Sequence, residues 1–310
     1  MPNFREDESL VIYKVHHVVG DGLAQMIMVA GLQDDYAPEQ WVQTQVRVSK
    51  CKALLLEIFK PFTATYAFIF FLFWPTDNNL IKNNVNLKSK KNNAICKTFS
   101  VPELKKVGKH FGSTLNDVVL SILSSSLKQY FEAHGDEKTR NINLLVPFSL
   151  RELPKTIAQH KMNNDFNVIS FTLALRKNFD EAIAVVSKKT RKLKGSLYPF
   201  AVKALTEIIA WFPGIVGQLV MMWVVSKATI VLSNVPGPKR CMKFGTVKCK
   251  GLVGLIPGLG DLAFGISAMS QGDQLIMAIQ SDLDYVEDPR ELRDLFEATY
   301  DKLIATVSEA

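Results

Sequence analysis

His16-His17-Val18-Val19-Gly20-Asp21-Gly22 is the stretch on which the reading of this 310-residue chain turns. It ends one apolar run, Leu10 to Val15, and opens another, Leu23 to Leu32. Leu10-Val11-Ile12-Tyr13 has the composition of a strand and Leu23 to Leu32 that of a buried helix, so the two histidines fall in the turn between them. Only five histidines occur in the chain and these two are adjacent. Histidine is the side chain that takes up and returns a proton near neutral pH. On an extended segment neighbouring side chains face opposite ways, so one imidazole faces a cleft while the other faces the scaffold. Gly20 and Gly22 give the turn its backbone freedom, and Asp21 braces it from behind through hydrogen bonds or an arginine partner. The plainer alternative is an ordinary strand-to-helix turn with Asp21 as the helix cap.

Composition sets the frame around this turn. With 47% hydrophobic residues and a mean hydropathy of +0.08, the chain can bury a large core as one big domain or two, which excludes a mainly disordered state. The four cysteines, Cys51, Cys96, Cys241 and Cys249, form no CxxC pair and no His/Cys cluster, so neither a zinc site nor a disulfide framework is expected. A reducing compartment fits. Residues Pro2 to Ser9 are acidic and polar, unlike a signal peptide, and no Asn-x-Ser/Thr sequon occurs. The net charge of +7 is concentrated between Lys82 and Lys109, where eight lysines face one acid, Glu103. Such a cluster suits an anionic membrane surface or the phosphates of a co-substrate, or else a solvated linker. It lacks the aromatic platforms or arginines that nucleic-acid binding would ask for.

Two uncharged stretches stand out. Pro61 to Pro75, PFTATYAFIFFLFWP, is shorter than the ~20 apolar residues a membrane-spanning helix needs. It reads as an interfacial or re-entrant segment, or as a helix covering the core. Ile208 to Ser226 is uncharged for nineteen residues, but Pro213, Gly214 and Gly217 break it. Two short buried helices lining an apolar cavity are expected, with membrane insertion as the lesser alternative. Asn78 to Asn93 reads as a linker between two lobes. Beyond it, Cys96 to Val101 predicts a short strand and Val101 to Phe111 a helix. Thr114 then caps a second helix whose capping box Asp117 closes, leaving Asn116 and Asp117 at its positive end. Asn141 to Phe148 and Asn167 to Leu175 predict strands, and Phe179 to Lys194 a helix with a basic outer face. A strand over Thr229 to Leu232 ends in the rigid turn SNVPGP at 233–238. Gly258-Leu259-Gly260-Asp261 only superficially matches a dinucleotide fingerprint, because a hairpin around Gln271-Gly272-Asp273 follows it rather than a helix. Pro289 to Val307 closes the chain as a helix.

Taken in order, these landmarks resemble the wax ester synthase/diacylglycerol acyltransferase family, a branch of the condensation-domain and chloramphenicol acetyltransferase superfamily. The resemblance rests on HHVVGDG at 16–22, LNDVVL at 115–120, LLVPFSLRE at 144–152, SNVPGP at 233–238 and the closing segment 261–297, and so spans nearly the whole chain. It implies an α/β (α+β) fold of two similar lobes, each a mixed sheet backed by helices, with the histidine turn in a tunnel between them. The family carries a long stretch ahead of the histidine motif, which implies an incomplete first lobe over residues 1–77, a linker over 78–94 and a second lobe over 95–310. Asn163-Asn164 stands where the family tends to have Gly-Asn. The reaction implied is acyl transfer from acyl-CoA, as co-substrate, to a long-chain alcohol or diacylglycerol, with no metal or cofactor and no nucleic acid. His17 would be the general base, His16 and Asp21 would hold the turn with Gly22, and Asn116 and Asp117 would support the site, although helix capping explains Asp117 as well. The resemblance further implies association with a membrane surface, at the endoplasmic reticulum or plasma membrane facing the cytosol. A catalytically silent lipid-binding or partner-binding chain is the reading from another class. No GxSxG elbow and no cysteine near a histidine in sequence suggest a covalent acyl-enzyme, so direct transfer is expected.

Overall fold

Runs such as Leu144-Leu145-Val146 and Ile230-Val231-Leu232 are apolar on both faces, which suits strands covered on both sides. In the computed structural model, which describes residues 4, 7–33, 37, 50–82, 90–151, 154–256, 260, 262–283, 286 and 288–308, these runs lie at the centre of a seven-stranded mixed sheet. The strands are β1 (Lys91–Ile95), β2 (Phe99–Ser100), β3 (Asn141–Phe148), β4 (Asn167–Ala174), β5 (Ile230–Pro236), β8 (Phe264–Gln271) and β9 (Gln274–Asp282). Two-residue strands β6 (Lys243–Phe244) and β7 (Val247–Lys248) form a separate small hairpin. The order across the main sheet is β1-β9-β8-β5-β3-β4, with β2 also paired to β9. β3, β5 and β8 run parallel, so their carboxyl ends meet at one end of the sheet, while β4 and β9 flank them antiparallel.

Nine helices are assigned among the described residues: α1 (Gly22–Ala30), α2 (Lys50–Ile58), α3 (Lys60–Phe73), α4 (Val101–His110), α5 (Leu115–Ala133), α6 (Phe179–Gly195), α7 (Tyr198–Ile209), α8 (Gly214–Ser226) and α9 (Arg290–Ser308). Strand alternation divides the core. Leu144, Ile230 and Ile266 pack with residues of α4, α5, α6 and α9, whereas Leu145 and Val231 pack with residues of α3, α7 and α8. The expected capping box is present: the Thr114 hydroxyl accepts from the Asp117 amide, and the Asp117 carboxylate accepts from the Thr114 amide.

Several expectations are corrected. Leu10 to Tyr13 forms no strand; Val11 and Ile12 are 88% and 70% exposed, because no strand of the sheet lies beside them. Residues Trp74 and Asp77, expected in the first lobe, bond to strands of the sheet. The Trp74 indole donates to Thr172 Oγ1 of β4 at 3.1 Å, and Asp77 Oδ2 accepts from the Asn143 amide at 2.8 Å and from Thr229 Oγ1 at 2.6 Å. Lys91 to Ala94, expected at the end of the linker, belong to the edge strand β1 of the sheet; residues 83–89 lie outside the described residues. α7 and α8 match the two short helices expected around Pro213, but α8 buries only Val224 and Val225, so it is not the buried helix expected. Much of the Gly258-to-Asp261 stretch is outside the described residues, and the hairpin after it forms as expected, with Gly272 at φ +58°.

Candidate functional site

At the carboxyl ends of β3, β5 and β8, α1 seats Met26 and Ala30 against Met242, Met269 and Val235. This is the end of a sheet with parallel strands at which ligand sites commonly form, since chain reversals there free side chains from the ladder. The histidine motif enters α1 through one turn of 3-10 helix, His17–Val19, rather than through a strand. Asp21, 4% exposed, holds the junction. Its Oδ1 caps α1 by accepting from the Ala24 amide at 2.9 Å, and its Oδ2 accepts from Arg151 Nη2 at 2.6 Å and from the Asp165 amide at 2.8 Å. The two alternatives for Asp21, helix cap and arginine-paired brace, are therefore both realised, one on each oxygen. Arg151 also donates to the Asn163 carbonyl at 3.1 Å, which ties the loop after β3 to the loop before β4.

The two histidines differ. His16 Nδ1 accepts from the Val18 amide at 3.2 Å, so that nitrogen is occupied by its own turn. The His17 ring is exposed and lies edge-on to Phe166, with centroids 5.7 Å apart and planes at 68°. Neither of its nitrogens hydrogen-bonds to a described residue, which leaves the imidazole available to an incoming group. Gly20 passes within reach of Ala24 and Met162: a Cβ there would stand 3.1 Å from each, so the turn sits tightly against the loop before β4. Gly22 is looser, with the nearest contact 3.6 Å away at Val235.

Asn116 and Asp117 part company. Asn116 Oδ1 accepts from Asn234 Nδ2 at 2.6 Å, which places Asn116 beside the carboxyl end of β5. Asp117 is buried; its Oδ2 accepts from the Thr114 amide and hydroxyl at 2.8 Å each, and its Oδ1 accepts from Thr190 Oγ1 of α6 at 2.6 Å. That carboxylate is engaged in helix capping and helix packing. The sequence implies an arginine for Asp21 without locating it, marks Asn164 only as part of the pair that stands where the family tends to have Gly-Asn, and does not single out Phe166 or His160, whose Nε2 lies 2.9 Å from the Ala24 carbonyl. Arg151 was the traceable one, since it follows a buried strand directly. Among the described residues no three His, Cys, Asp or Glu side chains gather as metal ligands, and no helix is long and apolar enough to cross a membrane.

Residues 162–304 match the WS/DGAT C-terminal domain. Over this region the chain is similar to the wax ester synthase/diacylglycerol acyltransferase family. A probable diacylglycerol O-acyltransferase of Mycobacterium tuberculosis is 24% identical over 326 aligned residues, covering 95% of this chain and 68% of the relative. A wax ester synthase/diacylglycerol acyltransferase structure from Marinobacter aquaeolei superposes with a TM-score of 0.63 at 18% identity, covering 95% of this chain and 66% of that one. The first condensation domain of the CDA synthetase aligns with a TM-score of 0.52 at 14% identity, over 94% and 62% of the two chains. The fold is thus the mixed α/β, condensation-domain-like one, and the chain spans about two thirds of the length of these relatives. The WS/DGAT match begins at Met162 and so includes the loop that holds the histidine turn, while the turn itself lies upstream of it.

Proposed function

We propose that the chain acts as an acyl-CoA-dependent O-acyltransferase, esterifying a long-chain alcohol or a diacylglycerol, with His17 as general base. The observation that carries this reading is the division of labour at the turn: His16 is bound to its own backbone and Asp21 to Arg151, whereas the His17 ring is unengaged at the carboxyl end of the sheet. In the proposed step His17 removes the hydroxyl proton as the alcohol oxygen attacks the thioester carbon. The tetrahedral intermediate expels the CoA sulfur, which takes the proton from the imidazolium, leaving an ester and free CoA. Names of the relatives, diacylglycerol O-acyltransferase and wax ester synthase, support the substrate class.

The membrane is the proposed place of work, at the endoplasmic reticulum or plasma membrane on the cytosolic side. Support comes from α2, α3, the α7–α8 connection and α8, which expose Leu54 (62%), Phe62 (73%), Phe73 (79%), Trp211 (85%) and Leu219 (63%) among other apolar side chains.

The test supplies purified protein with palmitoyl-CoA and either hexadecanol or diacylglycerol, in parallel with His17→Ala. Ester formation lost in the variant supports the base; ester formation that survives it removes His17 from that role. A second reading, a catalytically silent lipid-binding or partner-binding chain, is favoured by the exposure of Val11 and Ile12 beside the turn. Saturable binding of acyl chains with no ester formed would select it.

A further inference from the structure

Asn164 lies outside the histidine motif, 147 residues from His17 in sequence. Its side-chain Nδ2 donates to the His17 carbonyl at 3.0 Å and to the Val18 carbonyl at 3.2 Å. It is one of four consecutive residues that each grip the turn at a different place. The Asn163 carbonyl accepts from the Asp21 amide at 3.4 Å, the Asp165 amide donates to Asp21 Oδ2 at 2.8 Å, and the Phe166 ring meets His17 edge-on. The Asp21–Arg151 pair fixes the turn where it enters α1, but that is four residues downstream of the histidine. Upstream, residues 9–15 form no strand and carry exposed apolar side chains, so no ladder holds the approach to His16. Within the turn, the His16 ring and the Val19 amide bond only inside the turn, and neither links it to the sheet. Between these ends, the Asn164 amide is the polar tie from the backbone of His17 itself to the loop leading into β4.

We propose that Asn164 is a positioning residue for His17: by donating to both carbonyls of the turn it fixes the direction in which the imidazole leaves the backbone and holds the ring against Phe166. The catalytic part of this inference rests on the reading of His17 as general base. A base must be held within a fraction of an ångström of its proton for the chemistry to run at full speed, so slackening the turn should lower kcat while leaving substrate binding, and therefore KM, largely in place. An amide is suited to this because its two hydrogens can serve two neighbouring carbonyls, whereas an isosteric carboxylate offers no donor and sets a negative charge against both oxygens.

The experiment compares wild type with Asn164→Ala and Asn164→Asp, with His17→Ala as reference, using palmitoyl-CoA and hexadecanol for turnover and the histidine Cε1–H resonances for geometry. Five histidines are few enough to resolve, and His17→Ala and Phe166→Leu identify the His17 signal and its ring-current component. Both Asn164 variants are expected to keep the thermal midpoint, because the two bonds are solvent-exposed, and to move the His17 resonance toward the Phe166→Leu value. They are expected to lose on the order of 10- to 100-fold in kcat with KM changed little. An unmoved His17 resonance in a folded Asn164→Ala or Asn164→Asp protein overturns the inference whether or not the chain turns over. So does full kcat in Asn164→Asp when His17→Ala is inactive. If His17→Ala keeps its activity while the Asn164 variants shift the resonance, the base assignment falls and the anchoring role stands.

Discussion

A single carboxylate, Asp21, serves three donors, and it shows how much of the site depends on individual atoms. Removing Arg151 leaves Asp21 Oδ2 at 4% residue exposure with the Asp165 amide as its remaining partner. A buried charge deprived of its counter-ion is costly, so Arg151→Ala should lower the unfolding free energy by about 3 kcal/mol, read as a fall in the urea midpoint at unchanged slope. Arg151→Lys should recover only part of this, because a compact ammonium cannot reproduce a guanidinium that serves both Asp21 and the Asn163 carbonyl. Asp77 behaves in the opposite sense. Burial holds its carboxyl above the ordinary 3.8, against the hydrogen bonds from Thr229 and Asn143 that pull it down. The native state therefore binds this proton more tightly than the unfolded one. Asp77 thus contributes a stability term that declines as pH rises through the window above 3.8 and is fully lost once the group is ionised in both states. Measured from about pH 4 to pH 6, the stability difference between Asp77→Asn and wild type should shift in favour of the variant as pH rises, because the asparagine carries no such cost. A difference independent of pH would contradict this.

Among the elements, the SNVPGP turn after β5 shows how a backbone approach fixes a residue type. Gly237 passes the β8 backbone so closely that an added Cβ would stand 2.0 Å from the Ser270 carbonyl oxygen. Gly237→Ala must push the two strand ends apart beneath α1, since its neighbours Val235 and Met269 pack with Met26 and Ala30. A loss of about 2 kcal/mol in stability is expected, with turnover reduced as well, checked by denaturation and by ester formation on the same preparation. The helices were legible because caps and periodicity are local. Thr114 and Asp117 close their box within four residues, and α4, α5, α6 and α9 appear close to where apolar spacing puts them. Leu10 to Tyr13 was misread for the complementary reason: a strand exists only through a neighbour, and the pattern of one segment says nothing of whether that neighbour is beside it. The edge strand β1, Lys-Asn-Asn-Ala-Ile, was missed because its polar residues are stabilised by pairing with β9 rather than by burial of their own.

Seen across the whole molecule, the apolar stretch Pro61 to Pro75 resolves into a helix with two faces. Ala64, Ala67 and Phe71 pack toward α7 and the sheet, and Phe71 and Trp74 meet Tyr198 and Thr172 there. Phe62, Ile69 and Phe73 remain outside, and the Trp211-Phe212 tip between α7 and α8 adds to the exposed apolar surface. If this surface lies on lipid, Phe62→Glu combined with Trp211→Glu should cut cosedimentation with phosphatidylcholine/phosphatidylserine vesicles several-fold, because a charge is costly to bury in the acyl boundary. The thermal midpoint should not fall, since both side chains are already exposed. Binding that survives both substitutions would place lipid contact elsewhere.

By itself the sequence determined the helical caps, the buried strands of the sheet centre, the hairpin at Gly272 and a histidine turn braced by Asp21, because each is written in residues close together or in an apolar pattern that only one kind of element can bury. What the tertiary structure alone decided is which partner each polar group found. Arg151, Asn163, Asn164, Asp165 and Phe166 lie well over a hundred residues from the turn they hold, and only the antiparallel return of β4 beside β3 brings them to it. The same closure turned Asp117 toward Thr190 and left Asn116 with Asn234, separating two adjacent residues whose roles the chain order could not distinguish. Successive side chains on a helix leave it about 100° apart, and what lies in each direction is fixed by packing.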